Sequence, residues 1–262
     1  MRTCLLTAMA LAFMAVAVKP KGVILADLTW MEAEKALTAQ TVVVIPLGAG
    51  SKEHGPHLRL KNDLLMADYL ARRVGDEREV VIAPTVNYSF YPAFADYPGS
   101  TSLRLETARD MVVDICRSLA RFGPRRFYVL NTGISTVRAL QPAVEILKAD
   151  GILLRFTDLH STEDVEKTIR KEEGGTHADE IETSMMLYLA PDSVDMKKAV
   201  KDYHGNAPGG LTRDPNGKGV YSPTGVWGDA TLATREKGRI VTEALVKAIL
   251  GDIDALRIEP LP

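Results

Sequence analysis

The chain has 262 residues, enough for one large α/β domain or two small ones. With 32 basic against 34 acidic residues its formal net charge is −2, which leaves no cationic footprint for nucleic acid or anionic lipid and makes a small-molecule substrate the default.

The first eighteen residues stand apart from this globular pattern. Arg2 precedes an apolar run from Leu5 to Val18 that ends at Lys19. The run is short and alanine-rich for a membrane span, and small residues at Ala15-Val16-Ala17 complete the pattern of a secretory signal peptide. Cleavage is expected after Ala17 or Ala26, giving an exported, periplasmic or secreted protein with no stable membrane span; without a working signal the protein is cytoplasmic. Cys4 leaves with the leader, so Cys116 stands alone and no intrachain disulfide forms.

Residues 27–262 show no repeat and no linker and read as one domain. Thr29 caps a short helix over Met31 to Leu37. Val42-Val43-Val44-Ile45 is an apolar, β-branched run, the signature of a buried parallel strand. Directly after it, the segment from Gly50 to Asp63 gathers Glu53, His54, His57 and Asp63. Ligands collect at the carboxyl ends of strands in open α/β sheets, and these side-chain types bind divalent metals. Read instead as an ordinary polar loop, the segment ends with Asp63 capping the helix over Leu64 to Val74. The strand Val80 to Ala83 completes a strand, helix, strand unit, which builds a parallel sheet.

Residues 85–103 form a long connection rich in aromatic side chains, read as a pocket wall. The helix from Glu106 to Phe122 carries Met111, Ile115 and Leu119 on one stripe and stops at Gly123-Pro124, with Cys116 as core rather than nucleophile. The strand Phe127 to Leu130 runs into Asn131-Thr132-Gly133-Ile134-Ser135-Thr136, where Asn131 and Thr132 face the same crevice as His54 and Ser135 or Thr136 caps a helix to Lys148. After the strand Ile152 to Phe156 comes a charged helix within 161–173. A second chemical stretch, His177 to Ser184, opens a helix that runs to Ala190. Spacings of four and three put Ala178, Glu182, Met185 and Leu189 on one face, so Glu182 needs a cation, an ion pair or a proton. With His177 just upstream, a cation or a catalytic pairing is the preferred reading. The last helix spans Ala233 to Leu250 and stops at Gly251.

Several stretches, kept in one order, resemble the creatininase family of metal-dependent amidohydrolases: Leu28-Thr29-Trp30, Pro46-Leu47-Gly48, His54-Gly55-Pro56-His57-Leu58 with Asp63, Pro98-Gly99-Ser100-Thr101, His177 with Glu182-Thr183-Ser184, and Gly225-Val226-Trp227-Gly228-Asp229. The resemblance implies a three-layer α/β/α sandwich with a largely parallel sheet, assembled as a homo-oligomer, commonly a hexamer. It also implies one or two divalent ions, zinc or manganese, that activate water against an amide, possibly cyclic, at a C–N bond other than a peptide bond. On this resemblance His54 is a metal ligand, Asp63 a bridging carboxylate, and His177 and Glu182 are catalytic, Glu182 doubling as a ligand. Tyr91, Ser100, Asn131 and Thr132 are expected to contact substrate.

Two departures from the family pattern matter. The family's Glu-x-His is here Glu53-His54, with Lys52 at the position counted back from the histidine, so Glu53 serves as a ligand only if a bulge turns it inward. The family's Asn-Gly-His is here Asn131-Thr132-Gly133, without the imidazole, and His57 or Glu180 are the candidates to replace it. Three outcomes follow: two ions on substituted ligands, one ion on His54, Asp63 and Glu182, or a noncatalytic small-molecule-binding or structural member with a degenerate site.

Overall fold

The computed structural model describes residues 20–205 and 209–262. The leader and the cleavage point after Ala17 lie outside the described residues. A five-stranded sheet, in which every pair is parallel, has the order β1-β3-β2-β4-β5, formed by β1 (Val23–Ile24), β2 (Val42–Leu47), β3 (Val81–Ile82), β4 (Arg126–Asn131) and β5 (Leu153–Phe156). The sheet thus begins before residue 27, and cleavage after Ala26 would remove its edge strand.

Alternation along the two central strands sorts their side chains into two cores. Val42, Val44, Tyr128 and Leu130 face one core with helices α2 (Asn62–Glu77), α5 (Glu163–Ile169), α6 (Glu180–Leu189) and α7 (Arg235–Ile258). Val43, Ile45, Leu47, Phe127 and Val129 face the other, with α3 (Leu105–Ala120) and α4 (Val137–Ala149). Both faces are covered, giving a three-layer α/β/α sandwich; Cys116 is buried in the second core. From β2 the chain crosses to β3 on one side, then returns to place β4 on the other. This puts a topological switch point, and its crevice, at the carboxyl ends of β2 and β4. Among the described residues no helix is long and apolar enough to cross a membrane.

Thr29 caps α1 (Trp30–Ala36) with a full capping box to Glu32. Three helix ends differ in detail from expectation. Asp63 does not cap α2: Lys61 holds that position, and Asp63 lies in the first turn with its side chain turned to Lys52 and His54. Thr136 holds the N-cap position of α4, as expected, but makes no capping bond, because its hydroxyl bonds back to Asn131 and Gly133. Helix α7 runs through Gly251 to Ile258, since Ile253 and Leu256 continue its buried stripe and a helical glycine costs only about 1 kcal/mol.

Helix α7 crosses α6 at Gly238, where a Cβ would overlap the Ser184 carbonyl carbon and oxygen. Gly238→Ala is therefore expected to destabilise the fold by about 1–3 kcal/mol, read as a lower urea midpoint; an unchanged midpoint would mean that the two helices separate freely.

Candidate metal centre

The chain leaves β2 and folds back on itself before entering α2. Backbone bonds from Lys52 N to Leu60 O (2.9 Å) and from Leu64 N to Ala49 O (3.1 Å) close this loop. Gly48 lets the Asp63 backbone approach where any Cβ would collide with it. The loop sets Lys52, His54 and Asp63 side by side at the end of β2. His54 Nδ1 lies 2.9 Å from the Lys52 carbonyl and donates to it, leaving Nε2 to face Asp63 Oδ1 at 2.7 Å and Glu182 Oε1 at 3.3 Å.

Glu182 arrives from the first turn of α6. Asp179 caps that helix by accepting from Glu182 N at 2.8 Å. Just before it, Ala178 adopts a φ of 48°, a left-handed conformation that costs a non-glycine residue about 1–2 kcal/mol. That turn lets Ala178 N donate to Glu182 Oε2 at 2.8 Å, while His177 stays extended and pairs its backbone with Trp227. Asn62 Nδ2 donates to Glu182 Oε1 at 2.9 Å. His177 Nε2 sits 3.0 Å from the Glu53 carbonyl and 3.1 Å from its carboxylate. Both neighbours are acceptors, so Nε2 carries the proton and Nδ1, 3.7 Å from Glu182 Oε2, is free to accept one.

The donors suit a divalent ion. His54, His177 and Glu182 bring one ligand atom each within 4.8 Å of one another, and Asp63 adjoins them through His54. A neutral His54 pinned by its Nδ1–H would aim a lone pair at two carboxylate oxygens, an arrangement that needs a cation or a proton between them. Burial disfavours charge on His54, but Asp63 and Glu182 outweigh it against the opposing Lys52 and raise its pKa to about 9. Burial would likewise raise Asp63 and Glu182. Lys52 and His54 hold Asp63 below the usual carboxylate range, and His54, His177 and Lys52 hold Glu182 well below it.

A cavity of about 260 Å³ opens on the cluster, lined among others by Lys52, Tyr91, Phe94, Thr132, His177 and Glu182. The structure thus brings His54, Asp63, His177 and Glu182 together, with Tyr91 and Thr132 on the cavity wall. Glu53, expected as a metal ligand through a bulge, instead sits beside His177 and the Gly225 turn, where a Cβ would strike its carboxylate. Of the expected substrate contacts, Ser100 accepts from Glu53 N at 2.9 Å and Asn131 is spent inside its own turn on Gly133, so neither lines the cavity. His57 Nε2 bonds Thr183 at 2.8 Å and Glu180 pairs with Lys237, and neither residue lines the cavity. Of the other residues at the site, Asn62 carries no signal in the sequence, whereas Lys52 stands two residues before His54, where the family has glutamate. Phe94 belongs to the expected pocket wall, its ring 4.3 Å from that of His177.

Histidine and carboxylate donors at the switch point of a three-layer parallel sheet, beside a small cavity, make a candidate divalent-metal centre of an α/β protein. The chain belongs to the creatininase family, whose creatinine amidohydrolase model matches residues 26–253. It is 29% identical to creatinine amidohydrolase of Pseudomonas putida, over 91% of this chain and 98% of that protein. Identity to 3-dehydro-scyllo-inosose hydrolase of Thermotoga maritima is 28%, over 87% and 81%. Identity to mycofactocin precursor peptide peptidase of Mycobacterium tuberculosis is 31%, over 78% and 81%. Among solved structures, a creatininase superposes with a TM-score of 0.77 at 27% identity, covering 91% of this chain and 99% of that one. A manganese creatininase gives 0.74 at 27% over 91% and 100%, and a creatininase variant of Zn–Zn type gives 0.72 at 26% over 92% and 100%.

Beneath the site, burial pushes His57 down to about 4, whereas the unfolded chain holds a histidine near about 6.5. The unfolded state therefore binds more protons between these values, and stability is lost as pH falls below about 6.5, by roughly 3 kcal/mol once both states are protonated. His57→Gln is expected to flatten the fall in melting temperature between about pH 6.5 and 4; a fall as steep as in the wild type would show that His57 does not cause it.

Proposed function

We propose that this metal-dependent hydrolase cleaves an amide C–N bond, other than a peptide bond, in a small molecule. The observation that carries the reading is the pinned His54 imidazole aimed at two carboxylates, with the free Nδ1 of His177 beside a cavity of about 260 Å³. That volume suits a compact ring or short amide rather than an extended peptide. The relatives act on differently named substrates, so cavity size is what supports this class.

His54 Nε2, Asp63 Oδ1 and Glu182 Oε1 would hold zinc or manganese, for which imidazole and carboxylate donors are suited. When bound, the ion supplies a Lewis acid that lowers the pKa of a water and polarises a carbonyl oxygen. His177 Nδ1 accepts the water's proton as the water oxygen bonds to the carbonyl carbon. It then returns that proton to the nitrogen as the C–N bond breaks, yielding a carboxylic acid and an amine. Glu53 holds Nε2–H, keeps the ring in this tautomer and stabilises the imidazolium between the two transfers. Tyr91 and Phe94 close the cavity wall. Loss of the imidazole at residues 132–133 favours the competing reading of a noncatalytic binding protein, which the metal content tests.

Wild-type protein is expected to copurify with zinc or manganese, or to take up either after chelation, and to hydrolyse members of a panel of small cyclic and linear amides only when loaded. His177→Asn should lower kcat by about 10²–10⁴-fold and retain metal, whereas Glu182→Gln should lose metal. A wild-type chain that binds neither ion in excess would rule out the hydrolase and leave the binding protein.

A further inference from the structure

We infer that the centre takes a single divalent ion, because the Lys52 ammonium is built in as the second cation on the opposite oxygen of Asp63. This rests on the hydrolase reading and sharpens it.

The Asp63 carboxylate, 1% exposed, is divided between two partners. Oδ1 lies 2.7 Å from His54 Nε2, on the side of the donor cluster, and Oδ2 lies 2.7 Å from Lys52 Nζ. Lys52 is itself only 6% exposed, with its ammonium 4.8 Å from the Phe94 ring centre and 5.6 Å from that of Tyr91. Two aromatic faces and a carboxylate are the surroundings of a resident cation. They offer little to a metal: beyond Asp63 Oδ2, the nearby end of β4 presents Thr132 and Gly133, and the Thr132 hydroxyl is committed to the Leu47 carbonyl at 3.1 Å. Among the described residues the one set of three or more neighbouring donor side chains is His54, His177 and Glu182, with Asp63 adjoining through His54, and no second set stands on the Lys52 side.

Electrostatics points the same way. An ammonium already seated on Asp63 Oδ2 repels a divalent ion brought to the same oxygen, and both would have to be withdrawn from water there. An ammonium fixed to the chain does not dissociate as free metal becomes scarce. Because Lys52 also lines the cavity, it is available to a substrate oxygen as a second positive group beside the ion.

The test is ion stoichiometry. Chelator-stripped wild-type protein is titrated with Zn²⁺, and separately with Mn²⁺, and ions per chain are counted by native mass spectrometry and isothermal titration calorimetry. One equivalent is expected, while Lys52→Glu, which exchanges the ammonium for a ligand, is expected to take up a second equivalent at least about tenfold more weakly. Two equivalents in the wild type overturn this inference and leave the hydrolase standing; none overturns both. A folded K52E that still takes one ion overturns the assignment to Lys52, and if K52E does not fold the wild-type count decides alone.

Discussion

Asp63 is buried with an ammonium against one oxygen and an imidazole against the other, and the surrounding segment is shaped to permit this. Charges withdrawn from water lose several kcal/mol of solvation each, and removing one member of a buried pair costs about 3–5 kcal/mol. Such a group adds little net stability, so its place in the fold follows from what the charges do. The loop between β2 and α2 meets this demand with local devices. Gly48 admits the Asp63 backbone, two backbone bonds fold residues 50–61 against β2, and the first turn of α2 presents Asp63 inward.

The second half of the site depends on a contact made far along the chain. His177 and Glu182 come from either side of a left-handed Ala178, whose strain is offset by the bond from its own N–H to Glu182 and by the pairing of His177 with Trp227. Close packing of α6 on α7 at Gly238 then fixes the axis along which Glu182 points. The result is two histidines with opposite duties. His54 is pinned at Nδ1 and turns Nε2 to the cluster, whereas His177 is pinned at Nε2 and leaves Nδ1 open. Neighbouring acceptors set both tautomers, and with them the division between holding a cation and moving a proton.

The family resemblance explains the scaffold but not the charge pattern at its centre. The fold is held by two apolar cores that tolerate wide sequence change, while a few residues at the strand ends decide the chemistry. Lys52, with Tyr91 and Phe94 around it, gives the centre a resident positive charge that costs no ion. Glu53 correspondingly belongs to His177 and acts through that ring.

The sequence by itself determined a parallel sheet, since continuous apolar β-branched runs alternating with helices of one apolar stripe report burial locally, and the family resemblance supplied the three layers. It also determined the order of the site motifs and the pairing of His54 and Asp63 with Glu182 as candidate partners. Helix ends were less legible: Asp63 and Thr136 are good capping residues, yet distant or turn partners claimed their side chains, and Gly251 sits inside a helix that tertiary packing prolongs. Only the tertiary structure decided where Glu53 and Lys52 point and which nitrogen of each histidine is free. In adjacent polar residues of an irregular loop, no periodicity fixes direction. The Glu53 carbonyl that chooses for His177 is brought into place by long-range folding, and Asp63 reaches Lys52 through the irregular fold of the loop between them.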